Sequence, residues 1–280
     1  MKDLQAKTAF ITGGASGIGL ALAEALGKRG MNVFLADIEG AALEKTLASL
    51  KETGITVAGS VVDVTRRASL QSAAQGCLAQ FGKVHLLVNS AGVMVTAAFG
   101  EMSPTEWQWL IDVNVKGVVN AVETFVPLML KHGEGGHIIN VASIAGFQTA
   151  PNLEAYSATK AAVIAMSEAW RIQLTGTGVS SSVVCPGHTQ TNIATSRRNR
   201  GDKYGGAQSD TALPWSPEKL ASGMPPEIVA QRIVEGLLAD ELHIFTHPQF
   251  RQQVEERLDD ILAAFDRVDV SPVLLEEANA

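Results

Sequence analysis

Tyr156 and Lys160 stand four positions apart in the alanine-rich stretch LEAYSATKAAVIAMSEAWRIQ. Side chains at positions i and i+4 of an α-helix share a face, so the phenol and the ammonium would be neighbours. A free phenol has a pKa of roughly 10, and a nearby positive charge lowers that pKa toward the range of a useful base. The pair therefore indicates proton transfer at the Tyr156 hydroxyl, although a solvated helix face would show the same spacing.

The turn TGGASGIG lies between a short apolar run and a helical segment, and it carries Gly13, Gly17 and Gly19. Glycines permit a tight turn, let backbone amides approach a pyrophosphate, and place a helix N-terminus against its negative charge. Any tight strand-to-helix turn could use glycines. This one follows the first strand of an alternating chain, which favours a dinucleotide site.

Asp37 ends the next apolar run, NVFLAD. A carboxylate at this point can accept hydrogen bonds from an adenosine ribose, whereas it would repel a 2′-phosphate. Neither Ala15 nor Ile38 offers a compensating positive charge, so the sequence predicts NAD rather than NADP as the cofactor. The alternative is that Asp37 only caps the helix that begins near Gly40.

Strands and helices must position these residues. The β-branched runs are TAFIT, NVFLAD, ITVAGSVVD, KVHLLVN, HIINVAS, VSSSVVCP and LHIFT, and most are separated by segments of helical periodicity. This alternation predicts an α/β fold, a single-domain Rossmann-type doubly wound parallel sheet of about seven strands with helices on both faces. Ser103, Pro104 and Glu106 predict a capping box at the start of one helix.

The chemically distinctive residues follow the ends of predicted strands. Asp63 ends the third strand, NSAG at 89–92 follows the fourth, Ser143 ends the fifth, and Pro186–Gly187 follows the sixth. Open parallel sheets bind ligands at the carboxyl ends of their strands, and chance would scatter such residues over both edges. The positions therefore predict a ligand site at this edge of the sheet.

Composition limits the classes of function. The chain has 280 residues and a formal charge of −7, which argues against a nucleic-acid binder and against binding to anionic membranes. Cys77 and Cys185 form no metal or disulfide pattern, the six histidines lack ligand spacing, and no metal is predicted. Because no signal peptide and no run of about 18 apolar residues is visible, we expect a soluble cytoplasmic protein.

The chain resembles the short-chain dehydrogenase/reductase family, in its common single-domain branch, from about Lys7 to Phe245. Each matching motif alone is weakly specific, but their shared order and separations are highly specific. The matching pieces are TGGASGIG, Asp63–Val64, NSAG, Asn114, Ser143, YSATK, and Pro186–Gly187 followed by Thr191.

The resemblance implies four catalytic residues. Tyr156 would take the hydroxyl proton of the substrate as a general base and return it as an acid in the reverse direction. Lys160 would lower the tyrosine pKa and bind the nicotinamide ribose, Ser143 would hold the substrate oxygen, and Asn114 would anchor a water in a proton relay. Taken singly, Ser143 could cap a turn, and Asn114 could be an ordinary polar residue of a helix.

The resemblance also implies a set of residues that bind the cofactor NAD. They are Gly13, Ser16, Gly17, Ile18, Gly19, Asp37, Asp63, Val64, Asn89, Ala91, Gly92, Tyr156, Lys160, Pro186, Gly187, Thr189 and Thr191. Asp63 could instead be only a strand-end cap. The chain departs from the family at Ser90, where asparagine is common, and we expect slightly altered sheet support with catalysis retained.

A polar, Gly- and Pro-rich segment, 188–226, stands where the family keeps its substrate-binding loop. Its length predicts a lid over a fairly large, partly apolar substrate, with Leu213 or Trp215 in contact. We expect this loop to be too polar to pack alone and to close over bound ligands. The basic run Arg197–Arg200 could meet an acidic group or be solvated, and His188 is by default a solvated loop residue.

The predicted boundary separates a Rossmann-fold domain, 1–247, which includes this loop, from a C-terminal helical extension, 248–280. The extension has an amphipathic helix whose apolar side could pack on its own domain or on a neighbouring subunit. That side carries Phe250, Val254, Leu258, Ile261 and Leu262. The family resemblance implies a homodimer or a homotetramer.

Two functions are consistent with these residues. The first is an NAD-dependent oxidoreductase that interconverts a secondary alcohol and its ketone, on a bulky aryl or alicyclic substrate. The loop and the tail are loosely similar to dehydrogenases that oxidise benzylic alcohols of aryl ethers. The second is a catalytically silent, NAD-sensing regulatory protein on the same fold. Such proteins often lose the tyrosine or the lysine, and this chain keeps both.

Overall fold

The structure, a computed structural model, describes residues 1, 3–208 and 222–277. In this part of the chain seven short apolar runs form one parallel sheet. The strands are β1 Thr8–Thr12, β2 Asn32–Asp37, β3 Val57–Val61, β4 Leu86–Asn89, β5 Gly136–Val141, β6 Val179–Cys185 and β7 His243–Phe245. Contacts divide the chain into two compact units, Met1–Thr246 and His247–Ala280. The sheet belongs to the first unit.

The strand order is β3-β2-β1-β4-β5-β6-β7, and all the pairings are parallel. The chain proceeds from β1 outward to β3 and then returns to place β4 on the other side of β1. This reversal leaves a crevice at the carboxyl ends of β1 and β4, where such sheets bind ligands. The predicted doubly wound sheet is confirmed.

Helices cover both faces of the sheet because alternate strand residues are apolar on both sides. Ala9 and Ile11 of β1 pack into one core cluster, whereas Phe10 between them packs into the other. The α-helices among the described residues of this unit are α1 Gly17–Gly27, α2 Gly40–Glu52, α3 Arg67–Phe81, α4 Pro104–Ile111, α5 Gly117–His132, α6 Glu154–Gln173 and α7 Pro226–Ala239.

The predicted capping box opens α4. The Ser103 hydroxyl accepts the Glu106 amide at 3.3 Å, and the Glu106 carboxylate accepts the Ser103 amide at 3.0 Å. Between α4 and α5 the helix continues through one π-helical turn, Asp112–Lys116, which the sequence analysis did not predict. The whole stretch, Pro104–His132, has the length and composition of a membrane span, but its apolar residues, such as Phe125, pack in the core.

The second unit consists of two helices, α8 Arg251–Asp269 and α9 Pro272–Glu277, within its described residues. An amphipathic helix was predicted here, and α8 has an apolar stripe. The stripe is solvent-exposed, with Ile261 42 % and Phe265 66 % exposed. Helices of this kind usually bury such a stripe against a neighbour.

Candidate active site

The glycine-rich turn joins β1 to α1 and forms one wall of a cavity of about 310 Å³. Gly13 and Gly17 have φ angles of 64° and 55°, a left-handed conformation that side chains disfavour. A Cβ on Gly13 would stand 2.8 Å from Ala91 Cα, and one on Gly19 only 2.2 Å from the Gly13 carbonyl oxygen. The turn therefore presents bare backbone and the N-terminus of α1 to the cavity, which suits a pyrophosphate.

Hydrogen bonds behind the cavity fix the ends of the central strands. The Thr12 hydroxyl accepts the amides of Ser90 and Ala91, each at 3.2 Å. The buried Asn89 side chain donates to Asn140 Oδ1 at 2.8 Å, across β4 and β5. Because Ser90 contributes a backbone amide, this support does not depend on the asparagine that is common in the family.

Two carboxylates line the cavity beside β2 and β3. Asp37 Oδ2 accepts the amide of Ala15 at 2.9 Å, and Oδ1 accepts the amide of Glu39 at 3.0 Å. Asp63 Oδ1 accepts both the amide and the hydroxyl of Thr65, at 2.9 Å and 2.7 Å. Asp63 thus closes a turn at the strand end, whereas Asp37 does not cap α2, whose N-cap is Glu39 without a side-chain cap bond, and both carboxylates lie in the cavity wall.

Tyr156 and Lys160 lie in the first two turns of α6, and both line the cavity although only 9 % and 4 % of their surfaces are exposed. Burial raises the pKa of Tyr156 to about 12, and a hydrogen bond with Ser143 opposes this rise. Burial lowers the pKa of Lys160 to about 8. In the protein alone burial therefore outweighs the ammonium, and the predicted lowering of the tyrosine pKa requires a further positive charge.

Hydrogen bonds hold the other catalytic candidates next to this tyrosine. Lys160 Nζ donates to the Val141 carbonyl oxygen at 2.9 Å and lies 5.5 Å from the centroid of the Tyr156 ring. Ser143 Oγ accepts the Ala145 amide at 3.1 Å, so the serine also caps a short turn. The structure thus brings Ser143, Tyr156 and Lys160 together, as the sequence predicted.

Asn114 lies in the π-helical turn and is 1 % exposed. Its Oδ1 accepts the Val93 amide at 2.8 Å, and its Nδ2 donates to the Val93 carbonyl at 2.9 Å and to Thr159 Oγ1 at 3.1 Å. Lys160 Nζ and Asn114 Oδ1 both lie within 3.5 Å of the point where a Cβ of Gly92 would stand. Asn114 is therefore rigidly held beside the lysine, behind the cavity wall.

Most of the predicted site residues line this one cavity. They are Gly13, Ser16, Gly17, Ile18, Asp37, Asp63, Val64, Ala91, Gly92, Ser143, Tyr156, Lys160, Pro186, Gly187, Thr189 and Thr191. Gly19, Asn89 and Asn114 stand behind the lining and support it. His188, which was assigned to solvent by default, also lines the cavity.

The end of the cavity next to Tyr156 is apolar. Its lining residues belong largely to one hydrophobic cluster that includes the tyrosine itself. They are Val93, Met94, Trp109, Val113, Leu153, Ile193 and Tyr204. A polar, glycine-rich end and an apolar end thus meet at the tyrosine hydroxyl, as expected of a site for a cofactor and an organic substrate.

The arginines of the basic run are paired with carboxylates of the protein, and only Arg198 is exposed. Arg197 and Arg200 both pair with Glu106 Oε1, at 2.9 Å and 3.2 Å, and both guanidiniums are mostly buried. Arg198 pairs with Glu39 on the opposite side of the cavity mouth. No local sequence pattern indicates these pairs, because the carboxylates lie far away along the chain.

Other contacts hold the loop as well. Ser196 Oγ accepts the Met94 amide and donates to the Met94 carbonyl oxygen, both at 2.9 Å. Tyr204 donates to Asp112 Oδ2 at 2.7 Å, at the start of the π-helical turn. The expectation that the loop is too polar to pack is therefore wrong for Ser196, Arg200 and Tyr204, whose polar groups are buried and paired. The predicted contacts of Leu213 and Trp215 lie outside the described residues.

His85, His132 and Glu134 form a cluster that spacing along the sequence did not reveal, with ligand atoms within 4.8 Å of one another. Each ring nitrogen of the two histidines has a hydrogen-bond partner, and the Glu134 carboxylate also pairs with Lys7 at 3.1 Å. A cation would have to displace these bonds. The cluster is therefore better described as a hydrogen-bonded hub than as a metal centre.

The family model for short chain dehydrogenases matches residues 7–202. The chain belongs to the short-chain dehydrogenase/reductase family. This short-chain dehydrogenase is 36 % identical to a C alpha-dehydrogenase of Sphingobium sp. strain SYK-6, over 97 % of this chain and 90 % of that protein. The structure of a family member from Burkholderia phymatum in complex with NAD has a TM-score of 0.88 and 34 % identity, covering 94 % of this chain and 97 % of that one.

Solved relatives differ in their cofactor. The actinorhodin polyketide ketoreductase with NADPH has a TM-score of 0.74 and 28 % identity, and the match covers 87 % of this chain and 96 % of that one. The short-chain dehydrogenase described here is thus an oxidoreductase with a Rossmann fold for a nicotinamide cofactor. The glycine turn, the N-terminus of α1 and the Asp37 carboxylate at the end of β2 fit such a group.

Proposed function

We propose that this short-chain dehydrogenase interconverts a secondary alcohol and its ketone with NAD as the hydride carrier. The observation that carries the proposal is the position of the Tyr156 hydroxyl. It lies near Ser143, which lowers its pKa, and near Lys160, and it lines the same cavity as the glycine turn and the apolar cluster. With the pyrophosphate at the glycine turn, a nicotinamide held next to Lys160 and Tyr156 would accept hydride from the carbinol carbon.

The residues of the chain would manage the proton. Tyr156 would accept the substrate hydroxyl proton as hydride leaves, and would donate it back in ketone reduction. Ser143, which lies near enough to lower the tyrosine pKa, would hold the substrate oxygen next to that phenol. Burial makes the phenolate costly in the protein alone, so proton abstraction depends on positive charge arriving with the oxidised cofactor.

Lys160 and Asn114 would complete the proton path. Lys160 would hold the nicotinamide ribose and supply positive charge beside the phenol. Asn114 lies next to the lysine amine and is itself fixed by three hydrogen bonds. It would anchor the water that connects the lysine to solvent.

Asp37 supports NAD over NADP. Its carboxylate lines the cavity at the carboxyl end of β2, where an adenosine ribose would bind and a 2′-phosphate would be repelled. The relative that holds NAD agrees with this preference. We therefore assign NAD, and the measurement that tests it is the ratio of kcat/KM for the two cofactors.

The substrate proposal is a bulky aryl or alicyclic secondary alcohol. The apolar cluster around Tyr156, including Trp109 and Leu153, supports it because such walls favour a large apolar group over a small alcohol. Binding energy from that remote group can also raise the rate of the chemical step. We further propose a cytoplasmic homodimer or homotetramer, and light scattering would test the oligomeric state.

The decisive experiment is Tyr156→Phe, assayed for NADH formation with a panel of aryl and alicyclic alcohols. The substitution keeps the ring and removes the titratable oxygen, so kcat should fall by about 100- to 10,000-fold while NAD still binds. Turnover within tenfold of the unmodified enzyme would contradict the mechanism. If the unmodified protein binds NAD tightly but forms no NADH from any alcohol, the regulatory alternative is favoured.

A further inference from the structure

Beside Asp37 the cavity mouth contains an ion pair between α2 and the loop. Arg198 NH2 lies 2.5 Å from Glu39 Oε1, and its Nε lies 3.2 Å from Oε2. Asn199 Nδ2 donates to the same Oε1 at 2.8 Å. All four residues line the cavity.

Glu39 is closely coupled to the Asp37 site. It follows Asp37 by two residues, and its own backbone amide donates to Asp37 Oδ1 at 3.0 Å. The hydrogen bond from Arg198 lowers the pKa of the Glu39 carboxyl, so the pair is ionised at neutral pH. The Arg198 guanidinium thus lies next to the position proposed for the adenosine ribose. Its Nε and NH2 nitrogens are both already bonded to the Glu39 carboxylate.

We propose that Glu39 is a second determinant of the preference for NAD, because it occupies Arg198 and withholds that guanidinium from a ribose 2′-phosphate. This inference rests on the proposed function, which places an adenosine ribose beside Asp37. Arginine binds phosphate through the same paired donors that it offers to a carboxylate. A 2′-phosphate would therefore have to displace the Glu39 carboxylate while being repelled by Asp37 as well.

Calorimetric titration with two cofactor fragments, ADP-ribose and 2′-phospho-ADP-ribose, tests this without any turnover. Glu39→Gln removes the negative charge and preserves the size of the side chain. It should lower the Kd of 2′-phospho-ADP-ribose by about tenfold, because the freed Arg198 can form a charge-assisted hydrogen bond with the phosphate. The Kd of ADP-ribose should change less than twofold. The gain should disappear in the Glu39→Gln/Arg198→Met double variant.

Glu241→Gln is a matched control. Glu241 pairs with Arg232 at 2.6 Å and has 35 % of its side chain exposed, against 31 % for Glu39, but it does not line the cavity. Its Kd values should match those of the unmodified protein.

Each outcome of this titration decides the inference. The role of Glu39 would be overturned if Glu39→Gln raised the affinity for 2′-phospho-ADP-ribose less than twofold. It would also be overturned if the increase persisted in the double variant that lacks Arg198. A similar gain in Glu241→Gln would show a general charge effect and would also overturn it. If the unmodified protein binds neither fragment, the proposed NAD site itself is wrong. That result differs from one in which ADP-ribose binds but Glu39→Gln has no effect, which would contradict only the role of Glu39.

Discussion

Replacing Lys160 with methionine should stabilise the folded protein at neutral pH while it abolishes alcohol oxidation. Burial lowers the pKa of this lysine from 10.5 to about 8, which corresponds to roughly 3 kcal/mol of unfavourable free energy for holding the ammonium in the fold at pH 7. Methionine avoids this cost but leaves the Val141 carbonyl without its 2.9 Å donor, a loss of about 1–2 kcal/mol. The net expectation is a gain of about 1–2 kcal/mol in the free energy of unfolding.

The pH dependence separates this explanation from a general packing effect. Between pH 8 and 10.5 the unfolded chain still binds the lysine proton that the folded chain has released, so the stability of the unmodified protein rises across this window. The advantage of Lys160→Met should be complete below pH 8, should vanish at about pH 9 to 10, and should become a deficit of about 1–2 kcal/mol above pH 10.5, where only the lost hydrogen bond to Val141 remains.

Urea unfolding followed by tryptophan fluorescence, at intervals from pH 7 to pH 10, measures the difference directly. Lys45→Met provides the control, because Lys45 is exposed on α2 and its replacement should give a difference that does not change with pH. The reasoning is refuted if Lys160→Met is less stable at pH 7, or if its difference from the unmodified protein is constant over this range.

Three further outcomes are expected. Asp37→Ala should narrow the ratio of kcat/KM between NAD and NADP, and an unmodified enzyme that already prefers NADP would contradict the assignment. Because burial raises the pKa of Tyr156, kcat/KM for oxidation should increase with pH over the neutral range, and a flat profile would count against this base. Glu106→Gln should lower the free energy of unfolding by about 1–3 kcal/mol and make 191–208 more sensitive to trypsin; unchanged cleavage would argue against its anchoring role.

Local patterns predicted the parts of the fold that local forces determine. The apolar runs of β1 and β2 coincide with the observed strands, since β-branched residues bounded by glycine or aspartate leave few alternatives. The convergence of Asp37, Asp63 and Ser143 on one cavity was also predictable, because parallel strands bring their carboxyl ends to one edge. The roles of these residues remain predictions for the kinetic and binding experiments to test.

Contacts between distant segments could not be predicted in this way. The partner of Arg198 is Glu39, 159 positions earlier, and only the folded sheet brings α2 and the loop together. Likewise, Tyr204 stands in a polar loop of the sequence with no sign of a partner, but its hydroxyl bonds Asp112. Polar residues that would remain solvated in isolation are buried here because tertiary structure supplies partners for them.

The burial along this helix is consistent with the π-helical turn. Glu106, Leu110, Asn114, Val118 and Val122 are all buried, at every fourth position. In a regular α-helix each step of four drifts by about 40°, so four steps would carry the buried face most of the way to the opposite side. The additional residue of the π turn offsets much of this drift.

This turn separates the number of residues in the helix from the direction in which its faces point. If Asp112–Lys116 became regular α-helix with no change of sequence, α4 and α5 would be rotated relative to one another by about 100°. Either Asn114 would leave the lysine or the Val118 and Val122 face would leave the core. Loss of one residue next to Asn114 would instead give a regular helix that keeps both faces in place, so natural variants of this helix should lose a single residue at this turn more readily than elsewhere along it.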